Sequence, residues 1–278
     1  MKPKLIDTHA HANMGHYDDD RVRVINRARQ AGVAFLNMGL DLPSSYDSIE
    51  LASEYDNVYA GTGFHPHEAD ALDASALKEL ARASGAEEVK AIGEIGLDYY
   101  RENSPKEDQR RAFRAQLDLA VEAGLPVSIH NRDSTKDLLK ILHGREDLPS
   151  GVIHSFFGDR GLGEEFIDLG FHLGLSGPVT FDGEGELRSA VRDLPLDRLV
   201  LETDSPFLTP EPNRGKRNEP GYVEFVAKKV ADIKGLTPEK VARMTTNNAR
   251  RLFDLDEYLS RGTGHEARSS SLHRRGNR

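Results

Sequence analysis

The hydrophobic residues of this 278-residue chain occur in short runs that alternate with longer segments of helical spacing. The apolar runs are nearly continuous, which is typical of parallel strands covered on both faces. An α/β fold with strand and helix in strict alternation, a (β/α)8 TIM barrel, is therefore predicted, with a doubly wound parallel sheet as the alternative. The eight predicted strands are residues 5–11, 33–40, 58–65, 89–96, 126–130, 151–157, 172–177 and 198–205.

The segments between the strands carry the start and stop signals of α-helices. Ser104, Pro105 and Glu107 have the spacing of an N-cap, a first helical residue and a capping box. Gly124 follows the last apolar residue of that segment, as a C-terminal glycine often does. The Thr-Pro pair at 237–238 repeats the start signal. We therefore expect two well-capped helices at these places.

The apolar pattern ends near residue 259, and the sequence that follows is rich in Ser, Gly and Arg. One barrel domain over 1–259 and a flexible basic tail over 260–278 are expected. The chain has a net charge of −9, and residues 261–278 contribute five Arg and one Glu, which leaves −13 on residues 1–260. An acidic body argues against broad charge-driven binding of nucleic acid. One strand end could still enter a local site that holds divalent cations.

Composition narrows the class of protein further. Hydrophobic residues make up 37% of the chain and charged residues 30%, which suits a globular protein with a sizeable core. No apolar run approaches the roughly 18–20 residues that a membrane span needs, and no secretory leader is apparent. A cytoplasmic protein without membrane contact is expected. The chain has no cysteine, so any metal must be held by His, Asp and Glu.

Histidines concentrate where the predicted strands end. The active sites of (β/α)8 barrels lie at this end of the strands, and unrelated structural histidines have no reason to share it. His9 and His11 are two residues apart on the first strand, so both of their rings project to the same side of it. The pattern predicts a metal centre. Six of the 11 histidines lie at these strand ends: His9, His11, His65, His67, His130 and His154.

The predicted ligands combine histidines with two acidic residues from the fourth and eighth strands: His9, His11, Glu94, His130, His154 and Asp204. Six N and O ligands exceed the four of one tetrahedral ion and suit two divalent ions that share a carboxylate. Glu94 is expected to be that bridge. Zn, Mn, Mg and Co all remain possible. Such a centre hydrolyses its substrate, with Glu94 and Asp204 as catalytic residues and Asp204 as acceptor of the water proton.

Other polar residues close to the predicted ligands have candidate roles of their own. Asp7 either orients a ligand imidazole or is a buried carboxylate bonded to the backbone. Glu202 shares a strand face with Asp204 and supports the centre or contacts substrate. His65, rather than His67, suits donation to a substrate oxygen.

Basic residues near the predicted mouth of the barrel are candidates for substrate contact in an otherwise acidic chain. The loop 209–220 brings Arg214, Lys216 and Arg217 there, directly after the last predicted ligand. Arg132 follows His130 by two residues. We expect Arg132 and Arg214 to contact an anionic substrate.

The motifs resemble those of the TatD family of metal-dependent deoxyribonucleases over roughly residues 4–253. They are "IDTHAH", "GFHPH", "IGEIGLDYY", "LPVSIHNRD", "GVIHSFFG", "LETDSPFLTP", "RGKRNEP" and "NNARRLF". The resemblance implies a (β/α)8 barrel, a dinuclear centre with the same six ligands, and DNA strand ends as substrate, cut from the 3′ end. Where the family often has a cysteine, this chain has Ala10, which faces away from the metal and is expected to change nothing.

Two alternatives stay open. Related barrels hydrolyse other bonds, so an ester or amide hydrolase such as an aminoacyl-tRNA deacylase is possible. Many of those barrels use a carboxylated lysine at the end of strand 4, where this chain has Glu94. A non-catalytic metal-binding protein is the other alternative. No obligate protein partner is expected.

Overall fold

Eight parallel strands form one sheet whose neighbours follow the order of the chain. The structure, a computed structural model, describes residues 4–183 and 185–255. All eight predicted strands are present, and β4 and β5 each run two residues further than predicted. The strands are β1 (Leu5–Ala10), β2 (Val33–Met38), β3 (Val58–Thr62), β4 (Val89–Asp98), β5 (Val127–Arg132), β6 (Gly151–Ile153), β7 (His172–Leu175) and β8 (Leu199–Leu201).

A helix or helical turn follows each strand and covers the outside of the sheet. The α-helices are α1 (Arg21–Ala31), α2 (Leu42–Glu54), α3 (Ala74–Ala83), α4 (Lys106–Ala123), α5 (Thr135–His143), α6 (Arg160–Asp168), α7 (Gly185–Asp193), α8 (Val223–Lys234) and α9 (Pro238–Leu252). None of the described helices is both long and apolar enough to cross a bilayer. The tail predicted over 260–278 lies outside the described residues.

The sheet closes between its first and last strands. Ala10 and Ser205 form a parallel bridge, and the amide of His11 donates to the carbonyl of Ser205 at 2.8 Å. The amide of Asp204 donates to the carbonyl of His9 at 2.9 Å. This closure confirms the predicted (β/α)8 barrel and excludes the doubly wound sheet, which has two open edges.

The strands bury both faces, as their continuous apolar runs predict. Ile6, Leu36 and Val200 belong to one apolar cluster, which Phe253 joins from the end of α9. Leu5 and other strand residues of opposite parity belong to a larger cluster that includes the inner faces of the helices. Because side chains alternate along a strand, the first cluster fills the barrel and the second lies between barrel and helices.

The helix signals are correct at two places and wrong at one. Gly124 ends α4 with φ +65°, and the Thr237 side chain accepts from the amide of Lys240 at the start of α9. The N-cap of α4 is Pro105, and the predicted Ser104 capping box does not form. The Ser104 hydroxyl instead donates to the carbonyl of His67 at 2.8 Å, so it fastens the loop after β3.

Side chains fasten the loop after β8 to the loop after β1. Tyr17 Oη donates to the carbonyl of Asn218 at 2.6 Å. The Arg217 guanidinium lies 2.8 Å from the Asp20 carboxylate and 4.5 Å from the centre of the Tyr17 ring. This ion pair lowers the pKa of Asp20 to about 2. The contacts hold the barrel closed above the Ala10–Ser205 bridge.

Candidate metal centre

The six predicted ligands lie together at the carboxyl end of the barrel. β1 carries His9, and His11 follows it directly. β4 and β5 carry Glu94 and His130, while His154 and Asp204 lie just beyond β6 and β8. The strands thus bring together side chains that are up to 195 positions apart in the chain. His130 and Asp204 are half-buried, and the other four are buried.

Asp204 lies among three imidazoles. Its Oδ1 is 3.6 Å from Nε2 of His11, 3.6 Å from Nε2 of His154 and 4.0 Å from Nε2 of His9. The Nε2 atoms of His9 and His11 are 3.1 Å apart. Asp204 has φ +56°, a left-handed conformation that Asp and Asn adopt more readily than most residues. The backbone turn after β8 therefore aims this carboxylate at the imidazoles.

Glu94 joins two groups of imidazoles, because each of its oxygens faces a different group. Oε2 is 3.3 Å from Nε2 of His9 and 3.5 Å from Nε2 of His11. Oε1 is 2.7 Å from Nδ1 of His130 and 3.9 Å from Nε2 of His154. An irregularity in β4 places it there, since the four residues from Ile92 to Ile95 oppose the three from Val127 to Ile129 in β5.

Each of the four imidazoles has its second nitrogen close to another polar group. His9 Nδ1 is 2.9 Å from Ser128 Oγ, and His11 Nδ1 is 3.2 Å from the carbonyl of Met38. The two remaining partners are carboxylates. His130 Nε2 is 3.2 Å from Asp98 Oδ2, and His154 Nδ1 is 2.8 Å from Glu202 Oε1.

This donor set fits divalent metal ions. Histidines that bind a metal almost always have their outer nitrogen fixed by a carboxylate, a carbonyl or a similar group, so that the inner nitrogen points at the ion. All four imidazoles here have that arrangement. Nitrogen and carboxylate oxygen without sulfur are ligands that Zn, Mn and Co accept readily. Geometric groupings of metal-binding side chains in the described part of the chain also lie here: His9–His11–Asp204, His65–Glu94–His130 and His9–His154–Glu202.

His65 has the opposite arrangement. Its Nδ1 accepts a hydrogen bond from the amide of His67 at 3.1 Å, so the proton of the neutral ring is on Nε2. That Nε2 lies 3.7 Å from Glu94 Oε1. Burial lowers the pKa of His65 well below its usual value, which favours this neutral form. An N–H that points into the centre suits the predicted donation to a substrate oxygen.

The carboxylates and imidazoles shift each other's pKa values. Burial lowers the pKa of His11 and His154, but nearby carboxylates outweigh it and raise them to about 9 and about 10. Burial raises the pKa of Glu94, but the imidazoles of His65 and His9 hold it well below its usual value. The carboxylates are therefore ionised and balanced by protons on imidazoles. A divalent cation that displaces those protons keeps the charge balanced.

The structure decides between the two roles considered for Asp7. Its carboxylate accepts from the amides of His9 and Thr203 at 3.1 and 2.9 Å and from the Thr203 hydroxyl at 2.6 Å. It contacts no ligand imidazole, so it is the buried carboxylate bonded to the backbone. Because Thr203 follows β8, Asp7 also helps to close the barrel.

The predicted cations differ in their surroundings. Arg132 and Arg214 are exposed, and neither has a carboxylate within 4 Å among the described residues. Arg217 is paired with Asp20 and Glu219, which removes it from the cations available to an anion. Arg132 and Arg214 therefore stay the candidates for substrate contact.

Sequence reasoning missed two residues of this site, Asp98 and Ser128. Asp98 Oδ2 lies 3.2 Å from Nε2 of His130 and 3.0 Å from Nε2 of His67. His67 is therefore connected to the predicted ligand His130 through this carboxylate. The position of Asp98 at the end of β4, in the same motif as Glu94, was a usable signal. Ser128 is one serine in a buried strand, and nothing in the sequence distinguishes it.

We expect Glu202→Gln to weaken metal binding or hydrolysis about 10- to 100-fold, because the amide no longer fixes the imidazole of His154 by its charge. Gly174→Ala should have the same effect, since an added Cβ would lie 2.3 Å from Glu202 Oε2. Gly161→Ala is the control, because its Cβ meets nothing closer than 3.5 Å. Metal titration followed by calorimetry measures the effect. Unchanged affinity and rate in both variants would contradict this role of Glu202.

Comparison with known proteins agrees with this geometry. The sequence profile of the family described as "TatD related DNase" matches residues 6–254. An uncharacterized metal-dependent hydrolase of Bacillus subtilis, YabD, is 44% identical over 91% of this chain and 100% of its own length. A protein of a Rahnella species named 3′-5′ ssDNA/RNA exonuclease TatD is 39% identical over 86% of this chain and 94% of its own.

Solved structures agree as well. The crystal structure of YjjV, a TatD homologue from Escherichia coli, matches 91% of this chain and 99% of its own with a TM-score of 0.85 and 30% identity. The profile match alone covers most of the chain. A closed (β/α)8 barrel with this donor set, matched over nearly its whole length, belongs to the TatD-related DNase family and is a metal-dependent hydrolase.

Proposed function

We propose that this protein is a deoxyribonuclease that hydrolyses DNA phosphodiester bonds from the 3′ end of a strand, using two divalent metal ions. The observation that carries the proposal is Glu94, whose two oxygens face two different groups of imidazoles. A shared carboxylate is how neighbouring ions are commonly bridged in two-metal hydrolytic sites. The name of the Rahnella relative, a 3′-5′ ssDNA/RNA exonuclease, supports the substrate and polarity.

The residues divide between two ions. His9, His11 and Asp204 would hold one ion, His130 and His154 the other, and Glu94 both. Such ions, when bound, make water a nucleophile near neutral pH and neutralise charge on the phosphoryl oxygens.

The chain's own groups supply the remaining steps. Asp204 is the half-buried carboxylate that takes the proton of the attacking water as the new P–O bond forms and the bond to the 3′ oxygen breaks. The departing 3′ oxygen takes a proton from solvent water and becomes the 3′ hydroxyl of the shortened strand. The Nε2–H of His65 donates to a non-bridging phosphoryl oxygen, where negative charge develops. Arg132 and Arg214 attract the phosphates of the strand towards a mouth that is otherwise acidic.

The test joins metal analysis with an assay of strand cleavage. Purified protein is analysed for bound metal and then incubated with 5′-labelled single-stranded DNA and Mg, Mn, Zn or Co. We expect about two ions per chain, shortening from the 3′ end in single-nucleotide steps, and complete loss of cleavage on chelation, restored by the metal. Parallel assays with aminoacyl ester and amide substrates test the alternative, an ester or amide hydrolase. Turnover of those substrates with no cleavage of DNA would overturn the proposal.

A further inference from the structure

Exposed aromatic rings surround the mouth of the barrel. Tyr100, Phe157 and Phe207 are 58%, 60% and 44% exposed, although most apolar side chains of the described residues are buried. Each follows a residue of the metal centre by two or three positions: Asp98, His154 and Asp204, respectively. The remaining large exposed apolar side chains in the described part of the chain are Val22 and Tyr46. Exposure of large rings is therefore concentrated next to the metal centre.

Cationic and aromatic neighbours accompany these rings. The Arg132 guanidinium lies 4.0 Å from the centre of the Tyr100 ring. The Arg214 guanidinium lies 4.0 Å from the centre of the Phe181 ring. On the far side, the His16 and Phe207 rings meet edge to face at 5.7 Å. The rings and cations thus extend around the mouth from the loop after β4, past β6 and β7, to the loop after β8.

Aromatic faces beside arginines that have no carboxylate partner among the described residues match the chemistry of single-stranded nucleic acid. Each base has a π-face that stacks on an aromatic ring whatever its identity, while the arginines contact the phosphates. A duplex cannot offer these faces, because its bases are already stacked and paired. A protein partner would explain the rings but not the two arginines, which suit phosphates and have no carboxylate partner in the part of the chain that the structure describes.

We propose that Tyr100, Phe157 and Phe207, termed here the stacking rings, bind the unpaired bases next to the scissile phosphodiester. The proposal rests on the proposed nuclease function and adds to it the residues that select a single strand. It places the specificity for unpaired ends in apolar contacts outside the metal centre. Because stacking tolerates every base, little sequence preference is expected.

The test compares base-containing DNA with DNA that lacks bases. In a Phe157→Ala, Phe207→Ala double variant, the KM for a single-stranded oligonucleotide should rise about 10- to 100-fold, while kcat stays within about twofold. On an oligonucleotide whose three 3′-terminal units are abasic, the wild type should lose the same factor, and the variant should lose nothing more. Phe157→Tyr, which keeps the ring, should retain the wild-type KM.

Tyr46→Ala is the matched control, because it removes an exposed ring that lies on α2, outside the loops after β4, β6 and β8, and contacts Glu79 of α3. Its KM should not change. An equal rise in KM on base-containing and abasic DNA, or no rise, would overturn the proposal, including the case in which the rings bind a protein.

A binding measurement keeps this inference separate from the nuclease proposal. Metal-loaded protein is titrated with a fluorescent oligonucleotide whose 3′ linkages are phosphorothioates, which resist cleavage. Affinity that depends on the stacking rings in a wild type that cuts no DNA would overturn the proposed function and support the inference. Cleavage of DNA with affinity independent of the rings would overturn the inference alone.

Discussion

A Glu94→Gln variant is expected to bind less than one divalent ion per chain and to lose at least about 10³-fold in hydrolytic rate. Glu94 Oε2 is 3.3 Å from His9 and its Oε1 is 2.7 Å from His130, so one carboxylate serves both imidazole groups. Glutamine keeps the length of the side chain but replaces one oxygen by an N–H donor and removes the charge. Metal analysis of the purified variant and its initial rate on 5′-labelled single-stranded DNA measure both effects.

Glu165→Gln is the matched control for that variant. Glu165 also pairs with a histidine, His143, at 2.8 Å, but on the outer surface of the barrel. Its loss should leave metal content and rate unchanged. If Glu94→Gln retained two ions and the wild-type rate, Glu94 would not be the bridging ligand.

Asp204→Asn should lower kcat about 10²- to 10⁴-fold, the usual contribution of a general base. Asparagine tolerates the left-handed conformation at φ +56°, so the fold should persist, as circular dichroism and the thermal unfolding midpoint will show. The carbonyl oxygen of asparagine still reaches the imidazoles, but it accepts no proton from water. Single-turnover release of 3′ nucleotides separates this step from binding.

Asp254→Asn provides the comparison, because Asp254 also has a positive φ, +47°, at the opposite end of the barrel beyond α9. It should behave as the wild type does. Release of nucleotides at the wild-type rate by Asp204→Asn, in a preparation free of other nucleases, would remove Asp204 from the mechanism.

The strands were predictable because a buried parallel strand needs a continuous apolar run, and eight such runs stand out in the sequence. Strand ends were less predictable, since β4 and β5 continue through the polar residues Asp98 and Arg132. The predicted helix cap at Ser104 does not form, because tertiary contacts take up its side chain. Its hydroxyl donates to the carbonyl of His67, 37 positions away, and accepts from the amide of Asp70, so it bonds the loop after β3 and not the helix end.

The six predicted ligands could be found from the sequence because all of them lie near or just beyond the carboxyl ends of strands. Histidines at the ends of successive strands converge whatever the details of packing, and the structure brings the six predicted residues together. The groups that contact the outer nitrogens of these histidines have no such common position along the sequence. Ser128 acts through a single hydroxyl, and the carbonyl of Met38 belongs to the backbone, so neither has a sequence signature. Their roles follow only from three-dimensional distances.

The closure between β1 and β8 has a consequence for the synthesis of the protein. His9 and His11 are translated before Asp204 and the loop that fastens the closure, which follow about 200 residues later. A nascent chain therefore holds only part of the ligand set until the last strand docks against the first. The complete ligand set, and with it metal-dependent hydrolysis, therefore requires that translation has passed β8. A metal ion held by ligands from both strands would stabilise the closed barrel, because it would bind the closed state in preference to the open one.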